Sequence, residues 1–207
     1  MVFWSAISIV KQHYKAFLIL NLIFYGLFVI SFCLTLVIPE LQGYVKPSID
    51  QAYIKEGVLK TVADAYGGKN LVLAVTLTFV VNLSVAIGLT TLPSLIIPFV
   101  GILAIFHRAI LWGVMFAPVG PYPETLIPHS MTLVIEGQAY ILAAFAAYVH
   151  GRSFFWSDRY AVLSVGGYKE GLVSSLHVYS LVVLTLLIAA VYEGIEVIYF
   201  IPFFLNS

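Results

Sequence analysis

The stretch "LIPHSMTLVIEGQAYILAAFAAYV", Leu126 to Val149, would sit comfortably among lipid tails, yet it carries His129 and, two helical turns on, Glu136. Its length decides the fold, because a helix crosses the hydrocarbon core with roughly 20 apolar residues. The remainder of the chain is written in the same style. It is 61% hydrophobic and 10% charged over 207 residues, with a mean hydropathy of +1.02. Soluble domains are nearer half apolar and a quarter charged, and a soluble core of this size does not hide so much apolar surface. The sequence predicts an all-α polytopic membrane helix bundle forming a single transmembrane domain over residues 1–207. Net charge is zero, so no nucleic-acid partner is expected. The lone Cys33 excludes an intramolecular disulfide and any multi-cysteine metal or iron–sulfur site.

On this length scale the chain predicts about five spans, at residues 17–38, 71–92, 94–117, 124–149 and 176–201. They are ended in turn by Pro39, Pro93, Pro118, Gly151 with Arg152, and Pro202. The first run is too long for a cleavable signal and no small-residue cleavage site follows it, so it is read as a retained span. Only "TTLPS" parts the second span from the third, which predicts a tight hairpin or a re-entrant break there. The outer loop 39–70 holds an expected amphipathic helix from Ser48 to Tyr66. Ser48 and Gln51 are set as a capping box, and Gly67 and Gly68 as its end. Phe154, Trp156 and Tyr160 suit the headgroup zone. Lys11, Lys15, Arg152, Arg159 and Lys169 fall on one side of a five-span chain, which the positive-inside rule makes cytoplasmic. The expected location is therefore a cell membrane, with the N-terminus inside and the C-terminus outside.

A charged group in a span costs about 2.5–3.5 kcal/mol on insertion scales, so such groups usually face protein or water. Asn82, Arg108, His129, Glu136 and Glu193 form the expected intramembrane polar cluster. Arg108 is too deep to snorkel and does not readily lose its proton, so it is expected to pair with Glu136 or Glu193. One reading of the cluster is an internal fastener; the other is a path for a solute or proton. His129 and Glu136 lie about 10 Å apart along a helix, too far to ligate one ion together. Neither HExxH nor GxSxG occurs, so no catalytic residue and no metal site is assigned. His107, His150 and His177 lie in or beside spans, but no CxxCH motif marks haem attachment, and no cofactor is assigned. Ala143, Ala144, Ala146 and Ala147 are small residues that allow close helix contact.

Three stretches resemble the stage II sporulation protein M family. "IPHSMTLVIEGQAYILAAFAAY" is similar to its Pro-His-Gly…Glu stretch, "FVVNLSVAIGLTTLPSL" to its asparagine-bearing segment at Asn82, and "LLIAAVYEGIEVIYF" to its closing span at Glu193. Ser130 stands where the family has glycine, Glu136 lies farther from His129 than the family's glutamate does from its histidine, and "FHRAILWG" gives Arg108 no family role. The resemblance covers about residues 70 to 200. It implies a multi-pass membrane protein without established enzymatic activity, one that serves in spore formers as an anchor for cell-wall hydrolases. The first expectation is accordingly a non-enzymatic scaffold or anchor subunit that organises partner membrane proteins in a hetero-complex or homo-oligomer. A transporter or permease subunit with an intramembrane polar path is the second. An accessory subunit of a large complex, one carrying haem or pigment included, is the third.

Overall fold

The computed structural model of the chain describes residues 2–120, 123–157 and 162–205. Arg159 and Tyr160, which figured in the expected topology and headgroup zone, lie outside them. Among the described residues all regular structure is helical. The α-helices are α1 (Val2–Gln12), α2 (Tyr14–Val37), α3 (Glu40–Ile54), α4 (Val58–Gly67), α5 (Leu71–Val85), α6 (Leu92–Ile96), α7 (Val100–Phe116), α8 (Leu126–Phe155), α9 (Val165–Ile195) and α10 (Ile201–Leu205). Two π-helical turns, Ala86–Thr91 and Glu196–Phe200, join α5 to α6 and α9 to α10. Among the described residues four stretches are long and apolar enough to cross a membrane: Tyr14–Val37, Leu71–Ile96, Pro123–Phe155 and Val165–Leu205. α7 is apolar but shorter, at 17 residues.

The expected helix boundaries at proline fail twice, for one reason. Pro93 follows the π-turn Ala86–Thr91 with one residue between, and Pro202 follows Glu196–Phe200 in the same way. A proline lacks the amide its helix needs, and its ring crowds the carbonyl four residues back. A wide turn just upstream re-spaces those carbonyls, so the helix continues through the proline. The amides of Leu92 and Ile201 bond five residues back, to the Ile87 and Glu196 carbonyls. The second span thus runs to Ile96, and the break expected at "TTLPS" lies at Ile97–Phe99 instead. There Ile97 is extended and Phe99 has a φ of 70°. The last span likewise begins eleven residues early, at Val165, and passes Pro202. α8 passes Gly151 and Arg152 to end at Phe155.

The expected loop helix is also corrected. α3 starts at Glu40, directly after α2, with a carboxylate in its first turn where the helix dipole favours one. It runs through Pro47, four residues after exposed Gly43. Ser48 caps nothing; its hydroxyl donates back to the Val45 carbonyl at 2.8 Å. Extended Lys55 and Gly57, at φ 154°, then break the chain before α4. That φ is open to glycine and strained for other residues.

The chain forms two compact units. The first holds residues 1–24, 83–107 and 138–185. Its centre is α8, buried on every side from Ala139 to Ala147. Such a helix is apolar all round because all of it is core. Ala143, Ala144, Ala146 and Ala147 are each 2% exposed or less. Across from α8, Gly167, Gly171 and Ser175 recur every fourth residue on α9. A Cβ at Gly171 would lie 2.8 Å from the His150 carbonyl oxygen, one at Gly167 would strike the Ser153 carbonyl, and the Ser175 hydroxyl donates to the Ala146 carbonyl at 2.7 Å. The backbones therefore meet without side chains between them. Phe17 packs edge-on to Phe145, and Gln138 donates to Asn21 at 2.7 Å. The Tyr179 hydroxyl donates to the Ala86 carbonyl at the first π-turn, at 3.1 Å.

The second unit holds residues 25–82, 108–137 and 186–207. Here Gly113 of α7 lies directly on α2, where a Cβ would strike the Phe28 carbonyl and the Ser31 hydroxyl. Gln42 of α3 donates from one amide nitrogen to the Val114, Met115 and Ala117 carbonyls at 2.9–3.3 Å. It thereby satisfies carbonyls that the end of α7 leaves open. The Tyr25 hydroxyl donates to the Val134 carbonyl at 3.1 Å.

Candidate functional site

The buried charges gather in the second unit. Arg108 on α7 reaches Glu136 on α8, with Nη2 to Oε1 at 3.3 Å, and its guanidinium lies over the Trp112 ring, 5.0 Å from the centroid. The same cation thus meets both a carboxylate and an aromatic face. Glu136 is 6% exposed. Arg108 therefore takes Glu136 of the two carboxylates expected as its partner. Glu193 instead stands within hydrogen-bonding range of the Tyr66 hydroxyl from α4, and that hydroxyl also meets Thr78 on α5 at 2.8 Å. Tyr66 lies outside the spans. Burial, and then the negative charge of Glu193, hold its phenol well above the usual tyrosine range.

A second pair was not expected. His129 Nδ1 lies 2.7 Å from Oε1 of Glu196, and the Thr132 hydroxyl donates to Oε2 of the same carboxylate. An ionised carboxylate only accepts, so Nδ1–H is the donor. Glu196 is 0% exposed and opens the second π-turn. Its signal was present in "YEGIE": Glu193 and Glu196, three residues apart, share a helix face. His129 and Glu136 do not act as one site, since each is engaged by a different partner. Asn82 is half-buried on α5.

His129 also lines a cleft of about 430 Å³. Its walls come from Met115 to Pro118 at the end of α7, the Thr125–Leu126 entry to α8, and Val197, Ile201 and Leu205, with Gln42 and Lys46 of α3. The His129 ring is tilted against Phe116 with centroids 4.7 Å apart. With Nδ1 taken, Nε2 is the polar atom the ring keeps for whatever enters. In the first unit His150 is 1% exposed and sits edge-on to Tyr168, 4.6 Å between centroids. Among the described residues no three His, Cys, Asp or Glu side chains gather as metal ligands do. The chain matches no family model, no curated protein and no solved structure.

Proposed function

We propose that the protein is a non-enzymatic, multi-pass membrane scaffold that anchors partner membrane proteins, a role like that implied by its resemblance to the stage II sporulation protein M family. In this reading α7 makes a fifth crossing. Its 17 residues give about 25 Å of helix, short of a full hydrocarbon core and within what local thinning accommodates. The N-terminus is cytoplasmic, α3 and α4 rest on the outer surface, and the C-terminus is outside. One observation carries the scaffold reading. Interior polar side chains are engaged with other protein groups, Arg108 with Glu136, His129 with Glu196 and Glu193 with the Tyr66 hydroxyl, while large apolar side chains such as Leu22, Val72, Ile96 and Leu176 face outward. Interior pairs of that kind fix helix arrangement, and the outward faces are left for lipid and partners.

Purification from native membranes in mild detergent tests this. The expected result is one or more membrane proteins in fixed ratio with the chain. A chain that runs as a lone protomer, with nothing crosslinked to it in intact membranes, overturns the proposal. A permease subunit is the second reading, favoured by the cleft that reaches His129. Solute flux into vesicles containing the purified chain alone would establish it in place of the scaffold.

A further inference from the structure

We propose that the cleft beneath Lys46 is a binding site for the phosphate headgroup of an anionic membrane phospholipid, with Lys46 and His129 as its two recognition groups and His129 taking up a proton as the lipid binds. The cleft is lined by polar and apolar side chains together. The Lys46 ammonium and the Gln42 amide oxygen stand beside Gly120, 3.9 and 3.6 Å from where its Cβ would be. His129 and Thr125 are the other polar side chains of the lining, and Val197, Ile201 and Leu205 are among its apolar ones. Phe200 and Phe203, of the same segment as Val197 to Leu205, are 42% and 70% exposed. The volume fits part of an amphiphile, one headgroup with the first carbons of its chains. Among the described residues no carboxylate lines the cleft; Glu196 meets the His129 ring at Nδ1.

The proton follows from the hydrogen bonds. Glu196 receives the Thr132 hydroxyl and the His129 Nδ1–H, so whenever the ring is neutral its Nε2 carries a lone pair and no proton. A phosphate oxygen repels that lone pair. Transfer of one proton from water to Nε2 turns the acceptor into an N–H donor and the ring into a cation held between two anions, Glu196 and the phosphate. The other groups near the ring are the Glu193 and Glu136 carboxylates, the Phe116 face and the Lys46 ammonium of the same cleft. Binding therefore tightens as pH falls through the range in which imidazoles titrate.

The test uses the full chain in nanodiscs of phosphatidylcholine doped with phosphatidylglycerol, with lipid retention read by native mass spectrometry at about pH 6 and pH 8. The expected result is preferential retention of one phosphatidylglycerol, several-fold stronger at pH 6. Lys46→Gln weakens retention about fivefold at both pH values, the size of one basic residue at a membrane surface, and leaves the pH dependence in place. Lys46 is exposed on α3, so this variant keeps the fold. His129→Gln, with melting temperature measured alongside, loses the pH dependence. Equal retention of the two lipids, a Lys46→Gln variant that binds as the parent does, or pH dependence surviving in a folded His129→Gln overturns the site. So does displacement of the lipid by millimolar inorganic phosphate, which would assign the cleft to a free anion.

Discussion

Arg108 is the side chain with the fewest alternatives, because it stays charged wherever it is placed. Removing the charge of its partner strands it. Glu136→Gln is expected to lower unfolding stability in detergent by about 1–2 kcal/mol, less than in soluble proteins because separated helices still find partners in lipid. Adding Arg108→Gln should return part of that loss, a coupling that a double-mutant cycle reads directly. If the two losses simply add, the 3.3 Å pair contributes nothing. Tyr66 carries a second expectation. Its folded pKa is raised above the unfolded value by burial and then by Glu193. The stability it contributes is therefore present below about pH 10 and lost as pH climbs toward the folded value. In an ultraviolet titration Tyr66→Phe should delete a phenol that ionises later than the unfolded chain's tyrosines. A deleted phenol that titrates at the ordinary value refutes this. At this scale Arg108 and Glu136 were legible from charge within apolar runs. Glu196 was written just as openly, but its pairing with His129 depends on where the π-turn rotates it.

At the scale of elements, two helices meet through absent side chains. Gly167 and Gly171 of α9 lie against the Ser153 and His150 backbone of α8. Gly171→Val must push the helices apart, and overpacking of this kind costs about 1–3 kcal/mol. The expected outcome is a lower melting temperature with helical content retained. Gly68→Ala is the control, because its Cβ would meet only the Asp64 carbonyl at 3.2 Å and the Ala65 carbonyl at 4.0 Å. Equal melting points for both would remove the seam from the account. The small residues of α8 were readable as contact positions. Their partners on α9 carry the matching four-residue spacing, yet nothing local says that one set faces the other.

For the whole molecule, crossing number and orientation are measurable together. After replacement of exposed Cys33 by serine, single cysteines at Lys55 and Lys169 should label from opposite sides of the membrane, Lys55 from outside. Labelling of both from one side removes the five-crossing arrangement. The sequence by itself determined that the chain is helical with runs long and apolar enough to cross a membrane, because a helix is how such a run satisfies its backbone in lipid. It also determined which side chains are too polar to face that lipid. Only the tertiary structure decided where helices end, since a proline stops a helix or not according to the turn before it. It alone paired Arg108 with Glu136 and His129 with Glu196, because the choice among several carboxylates within reach depends on rotation about each helix axis. Helices apolar all round carry little record of that rotation.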